Sequence, residues 1–218
     1  MGSITRSLSN NITTGGVILP AGITNSSVSA VTSFANASGG TLILLSTQTA
    51  SNSASISFTT GLNSTYDEYQ FKFINIAPKT DSSEFQFNFS TDGGSNYNVT
   101  KTTTVFIAYH TENDAETILT YRGGEDLAES TAFQILSIDS GNDADQNLGG
   151  SLELYNPSST TYVKHFISRV NYNHQADYSI DSFTSGYGNT TSAINAIQFK
   201  MDSGNFDGII KLYGLKKS

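Results

Sequence analysis

The sequence predicts an all-β protein, an antiparallel β-sandwich of jelly-roll type (41–218) behind an extended N-terminal arm (1–40). Three observations predict it. Short stretches alternate apolar and polar residues with the period of two that a half-buried strand imposes, most clearly Phe85-Gln86-Phe87-Asn88-Phe89 and Tyr69-Gln70-Phe71-Lys72-Phe73. Gly, Asn, Ser and Thr join these stretches, and none of comparable clarity has helical spacing. Charged residues are only 14 % of the chain, against about 25 % in ordinary globular proteins. The polarity comes instead from Ser, Thr, Asn and Gln, while 13 Phe and 11 Tyr supply enough apolar area to argue against disorder.

The arm comes first. Residues 1–40 hold one charged residue, Arg6, and one aromatic, Phe34, and are bounded by Gly39-Gly40. They cannot build a core alone, yet Val17, Ile18, Leu19, Ile23, Val28 and Val31 are too apolar for a plain linker. The segment reads as an arm that docks on a partner chain; an unstructured tail is the alternative. Strands then follow at 41–49, 54–60, 68–76, 84–90, 97–109, 131–138, 148–155, 161–171, 178–186, 193–201 and 207–214. The aromatics Phe85, Phe87 and Phe89 are expected in the core, since aromatics alternating with amides mark the inner and outer faces of a sandwich. Thr91-Asp92-Gly93-Gly94 reads as the turn of a hairpin, because Asp-Gly supplies positive φ angles. Turns are also expected at Tyr155-Asn156-Pro157-Ser158 and at Met201-Asp202-Ser203-Gly204-Asn205. The acidic stretch 111–129 is the longest irregular piece, with a short helix expected at 114–120. About ten strands in one antiparallel domain fit a jelly roll or a related sandwich.

Charge and composition exclude several function classes. A net charge of −8 and a pI near 4.7 disfavour nucleic acid and anionic membranes as partners, because counterion release needs clustered Lys and Arg. The absence of Cys excludes disulfides and thiolate metal sites. No apolar run approaches the roughly 20 residues of a membrane-spanning helix. The first residues lack the basic region and apolar run of a secretory signal, so export by that route is not expected.

Candidate chemistry is sparse. Asp139, Asp143 and Asp145 in the loop Asp139-Ser140-Gly141-Asn142-Asp143-Ala144-Asp145 are the calcium candidates, hard oxygen ligands beside a glycine. The spacing does not match an EF-hand, and a solvated acidic turn is the competing reading. The histidines His110, His165 and His174 show no metal-ligand spacing. His165 alternates with Val163 and Ile167 and reads as a core histidine, with Tyr162, Lys164 and Phe166 on the other face. There is no Gly-x-Ser-x-Gly elbow for a nucleophile. The pairs Asp67-Glu68 and Glu125-Asp126 are not placed in an aromatic cleft, and no Trp offers a sugar platform. No enzymatic activity and no cofactor are expected. Seven Asn-x-Ser/Thr triplets occur, as chance supplies in so Ser/Thr/Asn-rich a chain. Tyr172, Asn173, His174, Tyr178, Tyr187 and Asn189 form a candidate recognition surface, because amphipathic rings and amides make adaptable contacts. Ordinary sandwich surface or packing between subunits is the equal alternative.

Several ordered motifs resemble a family of virion structural proteins of tailed phages, common among marine cyanophages. They are Ser46-Thr47-Gln48-Thr49-Ala50-Ser51, Phe58-Thr59-Thr60-Gly61-Leu62-Asn63-Ser64-Thr65-Tyr66-Asp67-Glu68-Tyr69, Phe73-Ile74-Asn75-Ile76-Ala77-Pro78 and Phe85-Gln86-Phe87-Asn88-Phe89-Ser90-Thr91-Asp92-Gly93-Gly94. Ser158 to Phe166, Ile197-Gln198-Phe199-Lys200-Met201 and Gly204-Asn205-Phe206-Asp207-Gly208 continue the resemblance, which covers roughly 40–215. It implies a virion component, assembled in the host cytoplasm and exposed on the particle exterior, but no functional residues. The expected roles are a capsid decoration protein, trimeric and anchored by its arm on the major capsid protein, or a short tail fibre that binds a host-surface receptor or glycan. A calcium-assisted lectin outside any phage is a third reading.

Overall fold

The structure is a computed structural model that describes residues 12–13, 16–17 and 42–215. The chain divides into two units at Gly39/Gly40. In the first, β1 (Ile12–Thr13) pairs with β2 (Gly16–Val17) antiparallel, Ile12 opposite Val17. Of the arm candidates, Ile18, Leu19, Ile23, Val28 and Val31 lie outside the described residues; Val17 is described only in its backbone pairing.

The second unit is built from β3 (Leu42–Ser53), β4 (Ser55–Phe58), β5 (Glu68–Pro78), β6 (Ser83–Ser90), β7 (Lys101–Thr111), β8 (Thr117–Tyr121) and β9 (Gln134–Ser140). β10 (Leu148–Tyr155), β11 (Lys164–His174), β12 (Tyr178–Gly188), β13 (Ala196–Met201) and β14 (Phe206–Leu215) complete it. These form one 12-stranded antiparallel sheet with two branches. The long branch runs β3-β14-β5-β10-β11-β12-β7-β8, the short one β9-β6-β13-β4. A single bridge, His174 opposite Ser140, joins β11 to β9, and the chain crosses between branches at Ala54, between β3 and β4. The sheet thereby folds back on itself and is nearly closed. The expected all-β antiparallel fold is what the chain adopts; the strand order does not establish jelly-roll connectivity within that class.

The alternation read from the sequence becomes burial. Tyr69, Phe71 and Phe73 of β5, Leu152 and Leu154 of β10 and Phe166 and Val170 of β11 face inward from the long branch. Phe85, Phe87 and Phe89 of β6 meet them from the short branch, all fully buried as expected, with Phe199 of β13 at the centre. Phe199 lies 5.2–6.4 Å from the rings of Phe58, Phe71, Phe73, Phe85 and Phe87. Each such side chain contributes on the order of 2–3 kcal/mol by leaving water.

Three expectations are corrected. The Asp92-Gly93-Gly94 turn does use positive φ, at Gly93 (74°) and Gly94 (91°), but it closes no hairpin. β6 pairs with β13 and β9, and β7 with β12 and β8, so the segment crosses between branches. The stretch expected as a helix at 114–120 instead contributes β8, Thr117-Ile118-Leu119-Thr120-Tyr121, whose β-branched and aromatic residues suit a strand. In β11 the inward face carries Lys164 and Phe166, and His165 is exposed. The Lys164 amine donates to the Thr190 carbonyl (3.0 Å), which lets a lysine take the inner position that the sequence pattern assigned to His165.

Candidate functional site

The outer face of the long branch carries most of the exposed chemistry. Strand register aligns one residue per strand into a row: Thr47, Lys211, Lys72, Ser151, Arg169, Phe183, Phe106 and Tyr121. Cations occupy one half of the row and rings the other. Lys211 and Lys72 stand directly opposite each other, and neither makes a hydrogen bond or ion pair among the described residues. Like charges placed so are destabilising. Arg169 is occupied: Nε and Nη2 donate to both Asp181 carboxylate oxygens (2.6–3.1 Å), and its guanidinium lies 4.8 Å over the Phe183 ring. Beside Lys72, Gly149, Gly150 and Ser151 of β10 open a shallow groove of about 420 Å³, walled by Arg169, Asn171 and Asp181. Gly150 is required there for packing, since a Cβ would lie 2.4 Å from the Arg169 carbonyl.

Two rings of this face stack on one another. Phe106 and Phe183 are 4.7 Å apart and 5° from parallel. On the opposite, inner face, at the rim of the core, Tyr109 stacks on Tyr178 (5.3 Å, 10°), and Tyr178 on His174 (4.9 Å, 14°). Rings that cover each other's faces present their edges outward, so none is a flat platform for a sugar. His174 Nδ1 accepts the Ala176 N–H (3.0 Å), which puts the Nε2 side toward Asp139 at 3.7 Å.

The candidate recognition surface is therefore divided. Tyr172 is corrected outright: it is 2 % exposed, and its hydroxyl accepts the Ile138 N–H (3.1 Å). Burial pushes its phenol far above the usual range, so it is a structural hydroxyl. His174 and Tyr178 stand together, with Asn173 beside them bonded through its backbone to Asn147 (3.3 Å) and Gly141 (3.2 Å). Tyr187 sits at the opposite end of β12, edge-on to His165 at 5.8 Å, and Asn189 lies just past it, its N–H donated to Thr100 (2.7 Å). The six residues do not form one patch. Nor did the sequence point to the Lys211–Lys72–Arg169 row, because register between distant strands leaves no local signal.

The three aspartates of the acidic loop are not brought together. Asp139, one residue before the end of β9, has φ 45° and accepts from Ser82 Oγ (2.6 Å). Asp143 and Asp145 are exposed, and the loop centre holds the Gln146 side chain. Its Oε1 accepts the Asp143 N–H (3.1 Å) and lies against Gly141, 1.8 Å from where a Cβ would stand. Among the described residues no three His, Asp or Glu side chains come close enough to share a metal.

A buried amine is the most perturbed group. Lys101 is fully buried at the start of β7, opposite Gly188 of β12, with Lys164 across from the same glycine. Its Nζ donates to the Val99 carbonyl (2.9 Å) and to Asn88 Oδ1. Burial alone pulls its pKa down to about 7, with no carboxylate contributing. The Asn88 amide donates in turn to the carbonyls of Tyr97 (2.8 Å) and Thr131 (2.9 Å), so this polar knot ties β6 to the loops that precede β7 and β9.

No family model, no curated protein and no solved structure matches this chain.

Proposed function

We propose that the chain is a non-enzymatic structural protein of a tailed-phage virion, a decoration protein displayed on the capsid exterior. The observation that carries this reading is the outer face of the long branch, where side chains are spent on one another. Phe106 stacks on Phe183, and Arg169 holds Asp181 while lying over the Phe183 ring, which makes a stiff surface suited to load and display. The resemblance of the ordered motifs to virion structural proteins supports the same reading, as does the division of an N-terminal unit from the rest of the chain. Fold resemblance alone would not carry function. Cryo-electron microscopy of the particle tests it: copies numbering in the hundreds on the shell are expected, and a shell without this chain rejects the reading.

The Lys72–Lys211 pair beside the Gly149–Ser151 groove favours a second reading, a short tail fibre whose outer face binds an acidic host-surface glycan. An anion would relieve the repulsion between the lysines. Lys72→Glu then lowers adsorption of the particle to host cells; unchanged adsorption removes this reading.

A further inference from the structure

The far end of the long branch is an edge that nothing among the described residues covers. β8 pairs only with β7. Its register, with Arg122 N–H donating to Val105 and Thr111 N–H to Glu116, turns the backbone groups of Ile118 and Thr120 toward β7. In an antiparallel ladder this alternation turns those of Thr117, Leu119 and Tyr121 outward. The strand is exposed on both faces: Leu119 is 73 % exposed, Tyr121 56 % and Ile118 36 %. It carries no charge on a chain of net charge −8. Edges are ordinarily blunted by Lys, Pro, bulges or brevity. β3, at the other end of the branch, is bent by two register shifts against β14, and the short branch ends in the four-residue β4. β8, five residues long, is nearly as short as β4 but has no bulge, Lys or Pro.

We propose that β8 pairs with β8 of a second copy across a twofold axis at Leu119, joining the long branches of two chains into one sheet. This goes beyond the virion reading and stands without it. The register follows from three constraints. Outward-facing residues must meet outward-facing residues, which pairs Leu119 with Leu119 of the other copy and Thr117 with Tyr121. The overlap is then centred on the strand. The flanking charges become complementary, because Glu116 of one copy falls opposite Arg122 of the other. Arg122 holds Glu125 of its own chain (2.7 Å) and Glu116 accepts from Tyr109, so the new contact joins two ordered pairs. Leu119 meets its equivalent on the outer face, and each Tyr121 extends the row of Phe183 and Phe106 toward Thr117 of the other copy.

The chain has no Cys, so a single substitution reports the register. Residues paired across the axis have Cα atoms about 5.5 Å apart, within the range that a disulfide spans. The full-length Leu119→Cys protein is expected to become a covalent dimer under mild oxidation, while Ile118→Cys, whose equivalent is not its partner, stays monomeric on a denaturing gel. Sedimentation should give a dimer for the unsubstituted protein and a monomer for Leu119→Lys at an unchanged melting temperature. A monomer at every concentration overturns the proposal, as does a dimer that survives Leu119→Lys. A trimer dissociated by Leu119→Lys but not cross-linked by Leu119→Cys overturns the twofold and assigns β8 to a different edge of its neighbour.

Discussion

The rings inside the second unit and the Phe106–Phe183 pair on its surface obey different geometries. Inside, most pairs meet edge to face: Phe58 with Phe71 at 69°, Phe73 with Phe85 at 84°, Phe87 with Phe166 at 84°. Outside, Phe106 and Phe183 lie 5° from parallel. The cause is the source of the neighbours. Interior contacts such as Phe73–Phe85 and Phe87–Phe166 join strands of opposing branches, so the rings interdigitate at an angle and bring a positive edge to a negative face. Phe106 and Phe183 are cross-strand neighbours in one sheet, and register holds their Cβ atoms side by side so that the planes align. The inner arrangement fills volume, and the outer one builds a ridge. Function in an assembly would draw on the ridge, and stability on the interior.

The largest effect should therefore come from Phe199. It touches five rings drawn from both branches, and Phe199→Ala leaves a cavity that no single neighbour can fill. A loss of about 3–5 kcal/mol is expected in denaturant unfolding. A loss below about 1 kcal/mol would mean that the branches close on each other without this ring, and the distinction between volume-filling and ridge-building rings would fail.

The interior also holds a polar exception, Lys101, and the pH dependence of stability can isolate it. Its amine loses its proton near pH 7 in the folded state but only near about 10.4 when unfolded. Between those values the unfolded chain binds more protons, so this group makes stability rise with pH. Its burial cost is present in full below about pH 7 and gone above about 10.4. Lys101→Met removes the dependence and keeps the Phe89 N–H bond to Asn88 Oδ1 (2.8 Å). Relative to that variant, the unsubstituted protein should gain roughly 2–3 kcal/mol between about pH 6 and about pH 9. Parallel unfolding curves at several pH values measure this difference, and a constant offset would mean that Lys101 stays charged in its carbonyl cradle.

The same contrast explains what could be read from the sequence. Phe85, Phe87 and Phe89 announced themselves because a strand covered on one face writes that face into its alternation. β8 did not, because adjacent Ile118 and Leu119 are both exposed, and a strand bare on both sides has no reason to alternate. The β11 faces were inverted for the opposite reason. Lys164 is an inward lysine whose amine is satisfied by a loop carbonyl from Thr190, a partner that local pattern cannot supply. Tyr172 was taken for surface on its Tyr/Asn/His neighbours, yet it alternates with Val170 and Ile180 packs in the same core. The Lys211–Lys72–Arg169 row depends on the pairing order β14-β5-β10-β11, which joins strands far apart in the chain. In the Asp139–Asp145 loop the Gln146 amide packs against Gly141 and accepts the Asp143 N–H, a placement that the spacing of the aspartates does not announce.

The smallest effect belongs to the ridge, and it sharpens the comparison most. Phe106 is 42 % exposed, so Phe106→Ala removes little buried area, and Phe183→Ala removes also the contact with Arg169. Each alone confounds stacking with other losses. A double-mutant cycle removes that confusion by isolating the pair term. For two rings at 4.7 Å a coupling of about 0.5–1.5 kcal/mol is expected. The same cycle on Phe73 and Phe85, also within one contact distance but angled and buried, should give a larger apparent coupling because the two cavities merge when both rings are lost. If the surface pair couples as strongly as the buried pair, the ridge holds the sheet together rather than merely decorating it. Substitutions there would then weaken folding and contact with a second copy together. If the coupling is small, Phe106 and Phe183 can be changed with the fold intact, and any loss of association then reports the surface itself.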